Sequence, residues 1–237
     1  MTDATENVPR ILLGAGKQAA QVLNLMEWMG LPWQGIVLFD DAFPRLQAGP
    51  RNLPVLGPLD EGIEECIHAS MPAMVALGSR TAAVRYITYR KLQNAGAYLP
   101  SLVHPSCLVA PTARLGQNVA LLPGCVIGPN VTLGSLCWLY SRVTLEHDTQ
   151  VDENVTFGPS AVTSGYVKIG KHAFLGSGTV CAPEVHIGER ALIGAGAVVI
   201  SDIPEGMIAF GVPARVYREA PAGLDVPTGE ELQRSGA

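Results

Sequence analysis

Residues 103–204 read VHPSCL VAPTAR LGQNVA LLPGCV IGPNVT LGSLCW LYSRVT LEHDTQ VDENVT FGPSAV TSGYVK IGKHAF LGSGTV CAPEVH IGERAL IGAGAV VISDIP, seventeen units of six without an insertion. The first position is Val, Leu, Ile or Phe in 15 of the 17, and only Thr163 and Cys181 depart. The fifth is small or β-branched throughout, from Cys107 to Ile203, and glycine recurs at the second, as at Gly116, Gly158 and Gly188. A period of six cannot be one amphipathic helix, because its apolar positions would spiral around the surface. A plain two-residue alternation also fails, since the apolar residues fall at one and five, then at one again. Short strands joined by tight corners fit. Position one points into a prism, position five fills the space beside it, and glycine at position two permits backbone conformations closed to other residues. The repeat therefore predicts a parallel β-helix, each coil burying its apolar face on its neighbours.

Three units make a coil of 18 residues, so residues 18 apart stack about 4.8 Å above one another. Cys107 and Cys125 are such a pair, read as interior filler. Gly165 follows His147 by 18 residues and stacks one coil above it on the same edge. An imidazole is suited to general-base work because it changes charge near neutral pH. A backbone N–H about 5 Å away can serve an oxygen lying between the two, and glycine allows close approach. Asp148 and Glu146 both flank the histidine, and either can orient it. His172 and His186 read as surface residues. Lys168, Lys171 and Arg215 read as solvated charges with a possible role at phosphates.

Before the repeat the pattern changes. Arg10-Ile-Leu-Leu13 predicts a buried strand, Gly14-Ala-Gly16 a tight turn, and the apolar spacing beyond it a helix to about Met29. Gly35 to Phe39 predicts a second strand tipped by Asp40-Asp41. Ala73 to Leu77 predicts a third, closed by Gly78-Ser79-Arg80 and followed by a helix to about Asn94. Strand, glycine turn, helix, strand with a terminal acid is the plan of a Rossmann-like nucleotide-binding α/β unit. Helix N–H groups can meet a phosphate there, and the acid can accept from ribose hydroxyls. The third glycine of a dinucleotide fingerprint is missing, Ala19 or Ala20 standing in its place, so a purely structural turn is the alternative. Residues 1–100 are expected to form this domain, 101–215 the β-helix, and 216–237, rich in Gly, Pro and Glu, a flexible C-terminal tail.

Composition narrows the function. The chain of 237 residues is 48% hydrophobic and 16% charged, enough to bury a core. Its net charge of −5 and lack of a basic run argue against nucleic acid or an anionic membrane as the main partner. No apolar run approaches the ~20 residues of a membrane span, and no signal peptide is read at Met1 to Arg10. Five cysteines with no CxxC pair suggest reduced thiols and a cytoplasmic location.

Leu145-Glu-His-Asp148, the coil holding Gly165, and the closing Gly211-Val-Pro-Ala-Arg215 give the chain a resemblance to a family. From about Arg10 to Arg215 it resembles the NeuD/PglD-like sugar acetyltransferases, hexapeptide-repeat enzymes that include sialic acid O-acetyltransferases and UDP-4-amino-sugar N-acetyltransferases. The resemblance implies a left-handed β-helix, against the usual right-handed crossover, assembled as a homotrimer. It implies His147 as general base, Asp148 as the acid orienting it, and the Gly165 N–H facing the thioester oxygen. It implies acetyl-CoA in a groove between neighbouring β-helices, lined by Gly165, Ser177, Ala195, Gly211 and Pro213. A nucleotide sugar would lie against Gly14, Gly16, Lys17, Asp40, Asp41 and Gly78, with Glu146 beside the base. Two positions depart: the family's Gly-Ala-Gly-Gly-His-Ala turn reads Gly14-Ala-Gly-Lys-Gln-Ala19, and a common Asn seven before the histidine is Tyr140.

The expected function is N-acetylation of a nucleotide-linked (UDP-, GDP- or dTDP-) 4-amino sugar for a surface glycan, with O-acetylation of a sialic acid or other sugar as the rival. No sequence feature separates amine from hydroxyl. A zinc hydratase needs three converging histidines, and the spacings of 25 and 14 among His147, His172 and His186 scatter them; no metal is expected. A non-catalytic β-helix module is the remaining class.

Overall fold

The structure, a computed structural model, describes residues 8–78 and 82–220. The chain divides into two compact units between Leu102 and Val103. The first unit runs β1 (Ile11–Leu13), α1 (Lys17–Trp28), β2 (Val37–Phe39), β3 (Val55–Gly57), α2 (Leu59–His68), β4 (Ala73–Val75) and α3 (Ala82–Asn94). Its sheet has the order β3-β2-β1-β4, with every pairing parallel. Ile11, Leu12 and Leu13 are all fully buried, as the central strand of a sheet covered on both faces must be. The strand order reverses at β1, with β2 on one side and β4 on the other, and such a switch point opens a crevice at the strands' carboxyl ends.

Strand β3 and helix α2 escape the sequence reading. Pro54 and Pro58 bracket Val55-Leu56-Gly57 and make it look like loop, but β3 is an edge strand, where flanking prolines cost the ladder nothing. Helix α2 approaches the sheet closely at Gly62, where a Cβ would stand 2.5 Å from Phe39 Cγ and 2.6 Å from Leu13 Cδ2.

The second unit is a column of two-residue strands recurring every six residues, β5 (Leu102–Val103) to β21 (Val198–Val199), closed by β22 (Met207–Gly211) and β23 (Ala214–Glu219). They form three sheets of five, eight and six strands, parallel within the repeat and paired at 18-residue intervals, as Thr144 with Val162 and Leu145 with Thr163. The interior holds positions one and five, with Leu139, Leu145, Val155 and Phe157 all at 0% exposure. Each such aliphatic or aromatic side chain contributes about 1.5–3 kcal/mol by leaving water, which fixes the register of every coil.

The role expected of the position-two glycines is corrected here. Positive φ falls at position four, as at Asn130, Asp148, Asn154, Tyr166 and His172. At position two the constraint is space: a Cβ on Gly158 would lie 2.5 Å from Ser177 N, and one on Gly188 2.4 Å from Glu205 N. The next coil stacks directly on these residues.

Residues 216–219, expected to open a flexible tail, instead lie in β23, which pairs antiparallel with β22. Strand β22 extends the eight-stranded sheet beside β20 (Leu192–Ile193), and the returning strand covers an edge that would otherwise present unpaired backbone. The rest of that tail, 221–237, and Ser79-Arg80 lie outside the described residues. Among the described residues no helix is long and apolar enough to cross a membrane.

Candidate active site

Glu146-His147-Asp148-Thr149 form the corner between β12 (Thr144–Leu145) and β13 (Gln150–Val151), on the edge shared by the six- and five-stranded faces. Asp148 has φ +59°, a left-handed conformation that short polar residues tolerate. The turn carries its carboxylate back to the imidazole, placing Oδ2 2.9 Å from His147 Nδ1. With Nδ1–H donating to Asp148, the neutral ring presents its lone pair at Nε2. The side chain of His147 is 49% exposed, and among the described residues its Nε2 has no hydrogen-bond partner. Asp148, not Glu146, orients the ring.

Two residues invisible to the sequence reading complete this arrangement. They are the position-four neighbours of Asp148, 18 residues below and above it. Asn130 Nδ2 donates to Asp148 Oδ1 at 3.1 Å. Tyr166 sets its ring edge-on to the imidazole, centroids 5.2 Å apart and planes at 89°. The His147 bond first, then the Asn130 amide, and more weakly the Tyr166 hydroxyl, hold the Asp148 carboxyl below the ordinary carboxylate range. The 18-residue arithmetic that paired His147 with Gly165 would have found them at position four.

Gly165 is buried because the imidazole lies on it. A Cβ there would stand 2.5 Å from His147 Cε1 and 2.6 Å from Nε2. Tyr166 N–H donates to the His147 carbonyl at 3.1 Å and ties the two corners together. Among the described residues the Gly165 N–H meets no protein acceptor, which leaves it free for a developing oxyanion.

The other β-helix residues of interest lie elsewhere on the prism. Ser177 and Ala195 are exposed on the edge between the eight- and six-stranded faces, and a single chain does not bring them to His147. Gly211, with φ +101°, and Pro213 form the turn between β22 and β23. His186 is exposed, whereas His172, expected at the surface, is buried. Its Nδ1 accepts from Asn154 Nδ2 at 2.9 Å. Among the described residues no group of three or more His, Cys, Asp or Glu could hold a metal ion.

In the first unit the turn after β1, the tip of β2 and Gly78 beyond β4 all lie at the carboxyl ends of the parallel strands. Gly14 needs its lack of a side chain, since with φ +124° a Cβ would meet the Ala76 carbonyl at 2.4 Å. Gly16 caps α1, Lys17 is exposed in its first turn, and nothing lies within 4 Å of a Cβ at Gly16 or Gly78. Asp40, expected to accept from ribose hydroxyls, already accepts from Ala15 N at 2.7 Å and Ala42 N at 2.8 Å. Its visible work is to lock the glycine turn. Asp41 Oδ1 accepts from Leu59 N at 2.8 Å and caps α2.

This geometry has close parallels. Residues 166–201 match the bacterial transferase hexapeptide (six repeats). A GDP-perosamine N-acetyltransferase of Escherichia coli O157:H7 is 34% identical over 131 residues, 52% of this chain and 58% of that protein. This likeness is consistent with the NeuD/PglD-like sugar acetyltransferases that the sequence resembles. A UDP-N-acetylglucosamine O-acyltransferase of Rickettsia canadensis matches at 39% identity over only 61 residues, 23% of its length. Among solved structures, a variant of the Caulobacter crescentus GDP-perosamine N-acetyltransferase, in complex with CoA and GDP-perosamine, has a TM-score of 0.80 at 28% identity. It covers 90% of this chain and 98% of its own. The acetyltransferase domain of PglB from Neisseria gonorrhoeae, in complex with acetyl coenzyme A, has a TM-score of 0.78 at 28% identity, covering 89% and 100%. The chain thus spans about a quarter and about three-fifths of the two curated relatives, and nearly the whole of the solved ones.

Proposed function

We propose that the chain is an acetyl-CoA-dependent N-acetyltransferase acting on the amino group of a nucleotide-linked 4-amino sugar, with a left-handed β-helix as its catalytic unit. The observation that carries the reading is the His147 imidazole, locked at Nδ1 by Asp148 with Nε2 open, lying on a glycine whose N–H is uncommitted. Acetyl-CoA supplies an activated acyl carbonyl. Nε2 takes the proton from the acceptor nitrogen as its bond to that carbonyl forms, and Asp148 stabilises the resulting imidazolium. The Gly165 N–H donates to the acyl oxygen as charge develops there, a contribution of about 2.7–4 kcal/mol for such a donor. The imidazolium then returns its proton to the departing sulfur. The sugar nucleotide would sit at the strand ends of the first, Rossmann-like unit, with its phosphates toward the α1 N-terminus and Lys17. The amine acceptor is favoured over a hydroxyl by the two GDP-perosamine N-acetyltransferases among the relatives.

A homotrimer completes the site. The outward residues of the five-stranded face, Arg114, Thr132, Gln150, Lys168 and His186, are polar and exposed. Those of the six-stranded face form an apolar ladder of Leu108, Val126, Val162, Val180 and Val198, broken only by Thr144. The ladder separates the His147 edge from the Ser177–Ala195 edge. Three copies turning this face to a common axis would set the His147 edge of one against the Ser177 edge of the next, a closed heterologous ring. Acetyl-CoA would lie in that groove, toward Gly211 and Pro213.

The test is release of CoA thiol from acetyl-CoA with UDP-, GDP- and dTDP-4-amino sugars, beside His147→Ala. Turnover with one sugar, lost in the variant, supports the reading. Turnover only with sialic acid or another hydroxyl acceptor would replace it with O-acetylation.

A further inference from the structure

The interior directly behind the Gly165 amide is polar. Every position-five side chain that can donate and lies in the described coils makes the same bond, to the carbonyl fifteen residues on. Cys107 reaches Leu122 at 3.2 Å, Cys125 reaches Tyr140 at 3.2 Å, and Cys137 reaches Asp152 at 3.1 Å. Thr179 reaches Gly194 at 3.3 Å. Thr149, fully buried, reaches the carbonyl of Ser164 at 3.2 Å. Its hydroxyl also lies 3.3 Å from that of Thr163, so Thr163 can donate to Thr149 while Thr149 donates to Ser164. Thr163 is one of the two residues that break the apolar rule at position one, and it is fully buried as well.

The carbonyl of Ser164 and the N–H of Gly165 belong to one peptide group. That group is planar and trans, so its C=O and N–H point in opposite directions. A bond that draws the carbonyl inward turns the N–H outward, to the side where the His147 ring lies. We infer that Thr149 is a positioning residue: its hydroxyl, backed by Thr163, fixes and polarises the Ser164–Gly165 peptide so that the Gly165 N–H is aimed as the oxyanion donor. The inference rests on the acyl-transfer role proposed for Gly165. A donor aligned during folding needs no reorganisation as charge develops, and a hydrogen-bonded carbonyl strengthens the N–H of its own peptide. A threonine that merely satisfied a buried carbonyl would matter for stability and leave the chemical step untouched.

The experiment compares Thr149→Val, Thr149→Cys and Thr149→Ser in the full chain. Valine keeps the shape and already occupies position five at Val131, Val143, Val155 and Val167, all fully buried. Cysteine makes the required bond at three other corners of this chain. In a wild type that transfers acetyl groups, Thr149→Val is expected to lower kcat about tenfold or more, part of the 10²–10³ that an oxyanion donor supplies. KM for acetyl-CoA and the pH profile should stay within twofold and unshifted. Thr149→Cys and Thr149→Ser should recover most of the rate. Independently of turnover, the Gly165 amide ¹⁵N resonance, read in glycine-labelled protein, should move in Thr149→Val and return in Thr149→Cys. A folded Thr149→Val with wild-type kcat, an unmoved Gly165 resonance, or equal impairment in the valine and cysteine variants overturns the inference. A wild type without turnover on any acceptor overturns the acyl-transfer role itself, and with it any catalytic meaning of the Thr149 bond.

Discussion

His147 and His172 occupy adjacent positions in the repeat, third and fourth, on two edges of one prism, and their surroundings are opposite. His147 is half exposed, its Nδ1 engaged by a carboxylate and its Nε2 open. His172 is buried, with Asn154 donating to its Nδ1. The position-four ladders differ in the same way. Asn130, Asp148 and Tyr166 run along an open edge, whereas Asn118, Leu136, Asn154 and His172 are buried on the edge between the five- and eight-stranded faces. The backbone is alike, with φ near +60° at all of these residues. Local conformation places a side chain, and exposure decides whether it can act on a ligand or serves the fold.

Substitutions at the two histidines test that contrast. His147→Ala should lower kcat by about 10²–10⁴ with its unfolding midpoint unchanged, and thiol release together with a denaturation curve would read both. Nearly as large, Gly165→Ala puts a methyl into the space of the imidazole, and a ring moved by about 1 Å can cost ~10²-fold in rate. If Gly165→Ala turned over at the wild-type rate, the reading of the imidazole as lying on Gly165 in the working enzyme would fail.

Asp148→Asn leaves the ring without its anion. The expected loss in kcat is smaller than for His147→Ala, since the base remains and only its anion is removed, and thiol release reads it. A pH limit follows for Asp148 itself. Its carboxyl is held below the ordinary range, so it stays ionised as the pH falls to about 4, near the unperturbed value. Its contribution is lost only as the pH falls further, through the depressed value. A fall in rate between pH 7 and 5 therefore does not come from Asp148. The smallest kinetic effect belongs to His172→Ala, which should keep wild-type turnover while losing about 1–3 kcal/mol of stability from a broken buried hydrogen bond. Loss of turnover in a folded His172→Ala would erase the distinction between the two edges.

The two units were legible to different depths. In the β-helix, period six places the strands from β5 to β21 but not β22 and β23, and the 18-residue stack places Gly165 against His147. The same stack contained Asn130, Tyr166 and the Thr149–Ser164 bond, yet nothing in one coil's residues announces a partner fifteen or eighteen positions away. In the first unit, β1, α1, β2, β4 and α3 follow from apolar runs and glycine turns, whereas β3 and α2 were hidden by their prolines. Asp40 shows the limit most plainly: its position at the tip of β2 was readable, but not that Ala15 N–H, brought close by sheet pairing, would claim its carboxylate.

What the sequence determined alone is the periodic part. Buried positions one and five repeat, and burial of apolar surface is strong enough to set the register of each coil without help from elsewhere. Only the tertiary structure decided which of two flanking acids holds His147, which histidine is buried, why glycine is needed at position two, and where the Asp40 oxygens go. Those outcomes turn on distances of 2.4–2.9 Å, between neighbours at His147–Asp148 and Asp40–Ala42 and between residues far apart in the chain at the others. Hydrogen bonding and steric exclusion change over tenths of an ångström, a scale that a pattern of residue types does not carry.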